Sequence, residues 1–493
     1  MSQRIVFFTG RTQIKDCSKI AKALNEKRSV KTTLVTLGEY NKVRGEKENS
    51  FGRVKDILPD IDIDITEEQA EKDQNLLNHL SSIVGAQFLG RAIASDRYIG
   101  AMRPTGTWYK DHPLYWNRRR IHAFIARTAI KIFRYLKTTR PNAVFVESSS
   151  ALYCVTRELC KSLGINSFYI SSPRVWSNRI YTETENDFLW LECRDKYSLL
   201  SSRGIDTSLR KLSEKRLLEF RAKQSQPDYH SNSTSETASI LDNLKVSEIV
   251  RYAKLWVRFI NEPWRKNPRS YVSKFLSPVG LIKRYIQRKR SEEIYNDIVD
   301  IEPDLEKPYV VYFLHVQPEA TVDFMAQRYM DQISTIRNIS ALLPPDIPLY
   351  VKEHNPMVGR RTSEFYAELF HIPNVVLVNH DIHSHIYIKS SEAVVTLTGT
   401  PGLESVLYGV PSIALGNVFY SVFDGVYDAE NWEEVRAILS AIPDGLNKPT
   451  TDDAVRILAS TYSASSPGVW PPDTEKSPEL TRKTADVFYS MLG

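Results

Sequence analysis

Thr398-Gly399-Thr400-Pro401-Gly402-Leu403-Glu404 gathers two hydroxyls, two glycines and a carboxylate in one short stretch. The run before it, residues 393–397, is apolar and β-branched with no breaker, and residues 403–407 restart as a helix. A strand–turn–helix unit of this kind aims backbone N–H groups and the positive end of a helix at one point, which suits a phosphate. Thr398 and Thr400 would add hydroxyl donors, and Gly399 and Gly402 would let the backbone come close. Glu404, in the first helical turn, would reach a ribose diol. An ordinary βα turn with a glutamate near the helix start shows the same pattern, because Gly-rich turns are frequent in α/β proteins.

Further groups for chemistry lie at other strand ends. Lys352-Glu353-His354-Asn355-Pro356 closes an apolar strand, residues 349–352, at the edge where open α/β sheets bind ligands. Lys352 and His354 offer cationic or N–H donors to a phosphate, and His354 a proton for a leaving oxygen. A solvated loop broken by Pro356 is the plainer alternative. His315-Val316-Gln317-Pro318-Glu319-Ala320-Thr321 follows the strand at 309–314; there Glu319 would deprotonate an acceptor hydroxyl, or only cap the next helix. Glu147, ending the strand at 142–147, and Asp96 compete for the same role. Arg174 and Arg179 follow the strand at 167–170 and would hold an anionic acceptor bidentately; a plain surface loop is the alternative. His380, His383 and His385 lack a carboxylate at metal-site spacing, and the last two share no helical face, so no metal is expected. Asp60-Ile61-Asp62 sits in an acidic stretch and reads as incidental. There is no P-loop, nucleophile elbow or paired-cysteine signature, and no cofactor is expected.

Two α/β domains are needed to position these groups. The chain has 493 residues, 42% hydrophobic and 25% charged, about three times a modal domain. Strands and helices alternate over residues 5–37, and again over 142–170 as strand, Ser-rich turn, helix and strand. Residues 67–135 read as mainly helical, with breaks near Pro104 and Pro113. The second alternating block runs from 309 to 415, with a helix expected over 325–343 and a last one over 479–491. Between the blocks, residues 222–239 turn to Gln, Ser, Thr, Asn and Pro, the composition of a linker. Residues 251–290 then carry twelve Lys/Arg against one acid, Glu262, interleaved with Trp256, Phe259, Trp264 and Tyr285. The expected domains are therefore an N-terminal lobe at 1–221, a linker and basic helical insertion at 222–306, a C-terminal lobe at 307–468, and a C-terminal helix at 469–493.

The four cysteines are scattered, and the net charge is only +6. Reduced, buried thiols in a cytoplasmic protein are the natural reading. No nucleic-acid motif accompanies the basic segment, so nucleic acid is not an expected partner. The first apolar run is too short for a signal peptide, and no run reaches the ~18 residues that cross a bilayer. The basic, aromatic-bearing segment suits the anionic inner face of a membrane, which allows a peripheral location; a solvated helical insertion is the alternative.

The second half resembles the capsule polysaccharide biosynthesis family, which includes transferases of the acidic sugar Kdo. The resemblance rests on residues 312–321, on 349–354, on 398–404 and on Gly416-Asn417-Val418-Phe419-Tyr420; the first lobe adds the stretch from Ser172 to Arg179. It implies two Rossmann-like lobes of the GT-B type, with the nucleotide in the second and the acceptor mostly in the first. Related enzymes using CMP-activated sugars carry adjacent His and Pro, whereas Asn355 separates His354 from Pro356 here. The expected function is transfer of a sugar from a CMP- or UDP-linked donor to a surface polysaccharide or glycolipid acceptor, without a metal. Lys352, Thr398, Gly399, Thr400, Gly402 and Glu404 would hold the donor, Glu319, His354 and Glu147 would do the chemistry, and Arg174 and Arg179 would bind the acceptor. Sugar-nucleotide epimerisation, polyol-phosphate transfer, or glycan binding without turnover within the export machinery are the alternatives.

Overall fold

The computed structural model describes residues 3–9, 13–37, 42, 45–57, 65–94, 118–146, 151–184, 189–223, 278–300, 302–317 and 319–493. Two sheets organise them. The first contains β1 (Arg4–Phe8), β2 (Lys31–Thr36), β3 (Arg53–Asp56), β4 (Ala143–Val146), β5 (Asn166–Ser171), β6 (Arg179–Glu183) and a short β13 (Ser466–Pro467), in the order β13-β6-β5-β4-β1-β2-β3. Its pairings are parallel except those of β6 with β5 and with β13. The second contains β7 (Val310–Phe313), β8 (Leu349–Lys352), β9 (Val375–Val378), β10 (Ala393–Thr396), β11 (Ser412–Ala414) and β12 (Val426–Asp428), all parallel, in the order β12-β11-β10-β7-β8-β9. Every residue of β4, β7, β8 and β10 is buried. That is why these strands read as continuous apolar runs rather than alternating ones: helices cover both faces.

The helices are α1 (Ile14–Arg28), α2 (Glu67–Val84), α3 (Ala86–Ala94), α4 (Arg118–Thr139), α5 (Ala151–Ser162), α6 (Leu191–Arg203), α7 (Thr207–Lys223), α8 (Pro278–Ile298), α9 (Ala320–Asp323), α10 (Gln332–Leu342), α11 (Ser363–Phe370), α12 (Ser384–Ser390), α13 (Thr400–Tyr408), α14 (Trp432–Ser440), α15 (Thr451–Ser463) and α16 (Pro478–Ser490). Helices α2 to α5 close one face of the first sheet, while α1 and α16 close the other. Phe488 of α16 lies 5.1 Å from both Phe145 and Phe168, ring to ring, in the first-sheet core. Conversely, α6 and α7, which follow the first sheet in sequence, share a core with α13 and α15. The two Rossmann-like lobes thus exchange helices.

Two local readings change. The single helix expected over 325–343 is broken: Asp331 is extended (φ −78°, ψ 92°), and its carboxylate accepts from the Ser334 N–H to start α10. A separate 3-10 turn, Gln327–Tyr329, precedes it. Arg179, expected in a loop, opens β6. The basic stretch falls largely outside the described residues. Its C-terminal part is α8, whose fully buried Tyr295 joins the second-sheet core, and Arg288 and Lys289 pair with Glu292 at 2.7 and 3.1 Å.

Candidate active site

Strand order reverses between β7 and β10 in the second sheet and between β1 and β4 in the first. Loops leaving such neighbours diverge and open a crevice at the carboxyl edge of the sheet. The β7 loop carries His315, and the β10 loop carries the turn at 397–400. His315 is buried, and its Nε2 receives the Thr398 N–H at 3.3 Å and lies 3.2 Å from Thr396 Oγ1. Thr396 Oγ1 in turn accepts the Gly399 N–H at 3.0 Å. Burial first, then the nearby His354 and Arg361, push the His315 pKa down to about 3. The ring is therefore neutral, with Nε2 as acceptor, and it fixes the turn from beneath.

The turn faces inward more than its sequence suggests. Thr398 Oγ1 donates to the Thr321 carbonyl at 2.9 Å, so this hydroxyl, expected to meet a phosphate, is engaged with protein. A Cβ on Gly402 would come within 2.7–2.8 Å of Ser412 Oγ, Thr396 Cγ2 and Tyr420 Oη. The glycine is required by packing under the turn, which corrects its reading as a point of ligand approach. Glu404 is buried, with Oε2 3.3 Å from His385 Nε2; Tyr408 Oη lies 2.9 Å from the other ring nitrogen. Gly399, Thr400 and Pro401 remain partly exposed at the head of α13. The helix begins at Thr400 without a side-chain cap and ends at Gly409 in the left-handed region, φ 85°.

At the end of β8, Lys352 is 4% exposed and donates to the His380 carbonyl at 2.7 Å. Burial lowers its pKa to about 8, against the pull of Glu353 and Asp381. Lys352, expected to offer its charge to a phosphate, is a buried group beneath the edge. Glu353 has no exposed side-chain surface and forms a 2.6 Å ion pair with the equally buried Arg361. Tyr366 Oη and the His354 N–H complete the carboxylate's partners at 2.9 and 2.7 Å. Arg361 also donates to the His315 carbonyl at 2.7 Å. Gln332 holds the same loop through the His315 N–H and C=O, at 2.8 and 3.1 Å. His354 itself is half-buried beside this network. Among the described residues, no group of three or more His, Cys, Asp or Glu is placed to hold a metal.

The first lobe contributes Arg174, in the left-handed region at φ 65°. Its guanidinium donates to the Thr398 carbonyl at 3.1 Å and lies over the Phe419 ring at 5.6 Å. One residue thus ties the SPR stretch to the turn across the two lobes. Arg179 does not join it. Its Nε donates to Ser465 Oγ at 2.7 Å, a second nitrogen reaches the Ser465 carbonyl, and the group stacks 3.9 Å from the Tyr462 ring. Arg179 fixes the crossover into β13, which corrects its assignment to the acceptor. Glu319 is partly exposed, and its backbone carbonyl starts α9 by accepting from Val322 and Asp323 at 3.1 and 2.8 Å. Glu147, Asp96 and Asp60 to Asp62 lie outside the described residues.

Several site-building residues passed unnoticed in the sequence. His315 was visible only as part of a loop, and Arg361 carries no local signal at all. Glu183 on β6 is buried, accepts from Tyr181 Oη at 3.2 Å, and leaves its Oε2 without a hydrogen-bond partner among the described residues. Tyr181 stacks on Trp190 at 3.9 Å and lies 6.0 Å from Phe419, the ring beneath Arg174.

No curated protein matches the chain. Among solved structures, the β-Kdo 2,4 transferase KpsC of Thermosulfurimonas dismutans is 12% identical, with a TM-score of 0.36, covering 72% of this chain and 88% of that one. The UDP-GlcNAc 2-epimerase of Neisseria meningitidis is 10% identical, with a TM-score of 0.29 and coverage of 100% and 99%. That of Methanocaldococcus jannaschii is 14% identical, at 0.29, with 93% and 98%. Residues 229–443 match the family model of capsule polysaccharide biosynthesis proteins. That match spans somewhat less than half of the chain.

Proposed function

We propose that the protein is a glycosyltransferase that moves a sugar from a nucleotide-linked donor to a surface polysaccharide or glycolipid acceptor. The observation that carries this reading is the turn at the second-sheet switch point. Its partly exposed tip, Gly399 to Pro401, heads α13, is braced from below by neutral His315, and is met from the first lobe by Arg174. A helix start and a fixed guanidinium favour negative charge at one place. In this reading the Gly399–Thr400 backbone and the Thr400 hydroxyl hold the donor phosphate, with Thr398, Gly402 and buried Lys352 shaping the turn and its field. Glu404, oriented by His385, meets the ribose. His354 protonates the departing phosphate oxygen, and Glu319 or the first-lobe Glu147 takes the acceptor proton. We further propose lobe boundaries that assign residues 191–223 to the nucleotide lobe and 466–493 to the acceptor lobe, because that is where they pack.

The test is a calorimetric panel of CMP, UDP, GDP and CDP, followed by mass analysis of products from the matching sugar donors. One nucleotide is expected to bind, and Thr400→Val to weaken it by about 1 kcal/mol, the scale of one lost hydrogen bond. Absence of binding by all four would refute the site. A product isomeric with the donor would mean epimerisation instead of transfer, and binding without turnover a glycan-assembly role. Attachment to an anionic membrane through residues 251–290 is a separate part of the proposal. Salt-sensitive flotation with anionic but not neutral liposomes would support it, and equal recovery with both would remove it.

A further inference from the structure

The segment between Glu319 and Tyr329 is keyed into two different cores. Val322, Ala326 and Tyr329 are buried in the second-sheet core. Phe324, 6% exposed, is buried among α2 to α5 of the first lobe, with Met325 packed beside it. Phe324 meets the Phe88 ring edge-on at 6.2 Å, and the Arg91 guanidinium covers it at 5.1 Å. Gln327 Nε2 lies 3.4 Å from the Arg91 carbonyl. The same segment is fastened to the turn: Thr398 Oγ1 donates to the Thr321 carbonyl at 2.9 Å, and the Asn417 N–H to the Met325 carbonyl at 3.3 Å. Gly416 has no room for a side chain there, since a Cβ would stand 2.7 Å from Ala326 Cβ and 2.8 Å from Thr398 Cγ2. The turn, the loop at 415–417 and the Phe324 segment therefore form one packed unit.

We propose that Phe324 is a positioning residue that couples docking of the first lobe to the geometry of the turn at 396–400. Seated in the first-lobe core, its ring fixes the 320–326 backbone, and the Thr321 carbonyl then fixes Thr398 and sets the tip residues that follow. The coupling is reciprocal: a ligand that orders the turn also strengthens the seat of Phe324 in the other lobe. Glu319 begins the same segment, so its carboxylate is placed by the same anchor. The functional consequence rests on the reading of this turn as the donor-phosphate site; the mechanical link does not.

Hydrogen exchange of the full chain, read by mass spectrometry, tests the link without any ligand. Phe324→Ala is expected to raise exchange at amides 396–403 as well as around Phe88, with Phe324→Leu restoring most of the protection at both. Far-UV circular dichroism checks that each variant is folded. Unchanged protection at 396–403, with loss confined to Phe88 and its neighbours, would overturn the proposal. CMP and UDP calorimetry on the same proteins reads the consequence. The nucleotide that binds wild type should bind Phe324→Ala about tenfold more weakly, within the usual range of coupling, and Phe324→Leu near normally. If none of CMP, UDP, GDP and CDP binds wild type, the donor-site reading fails while the exchange result still decides the link. If exchange rises and affinity is unchanged, the link carries no binding energy and the positioning role is refuted.

Discussion

At the scale of single residues, the site is decided by which groups are left with a partner. His315 offers a sharp case, because burial keeps it neutral and its Nε2 lone pair is what receives the Thr398 N–H. Its folded pKa of about 3 lies below the ordinary 6.5, so between these values the unfolded chain binds the extra proton. Stability therefore falls as pH drops through that window, by up to about 1.4 kcal/mol per pH unit. His315→Gln should flatten that slope relative to wild type in chemical unfolding measured from pH 7 to 4; an unchanged slope would mean the imidazole is not held neutral. Glu319→Gln is expected to lower kcat by about 10²–10⁴-fold while leaving donor affinity nearly unchanged, the signature of a group acting in the transition state. Activity within a few-fold of wild type would move the proton to another carboxylate.

At the scale of elements, the strand–turn–helix unit of β10 and α13 is stabilised by close packing beneath it as much as by its own hydrogen bonds. Gly402 has Ser412, Thr396 and Tyr420 within 2.8 Å of where a Cβ would stand. Gly402→Ala should consequently cost about 1–3 kcal/mol through overpacking, read as a lower melting temperature even without nucleotide. A neutral effect on melting would show that the space can yield, and would return the glycine to a ligand-approach role. The buried Glu353–Arg361 pair is a second such element, joining the β8 loop to the β7 loop through the His315 carbonyl. Removing one partner leaves the other charged and buried, so Arg361→Met should destabilise the lobe by about 3–5 kcal/mol. Denaturant titration measures it, and a loss below 1 kcal/mol would mean the carboxylate finds another partner.

At the scale of the whole molecule, the two lobes are fastened by segments remote in sequence from what they complete. Phe488 is fully buried against Phe7, Phe145 and Phe168, so Phe488→Ala should cost about 3–5 kcal/mol and loosen the first lobe first. Exchange protection lost in β1 and β4 before β7 and β10 would bear this out; uniform loss across both sheets would mean that the lobes unfold as one unit.

Much of this architecture was legible in the sequence. Apolar runs such as Val310–Phe313 and Ala393–Thr396 announce buried parallel strands, because a strand covered on both faces has no polar side to alternate. Gly409 stops α13 because its left-handed φ of 85° excludes most side chains, while the helix starts at Thr400, three residues ahead of the expected restart. Sequence also set out the order of strands and loops, and hence which residues stand at the carboxyl edges. What it did not contain was the choice of partner. Thr398 Oγ1 turns to Thr321, Arg179 to Ser465, Arg174 to the Thr398 carbonyl and Glu404 to His385. Each side chain had a chemically reasonable ligand to meet, and each also meets a group brought near by the tertiary fold. Periodicity fixes the face a residue occupies, but a buried polar atom must be satisfied by whatever the packed chain places within about 3 Å of it. Only the three-dimensional structure decides that.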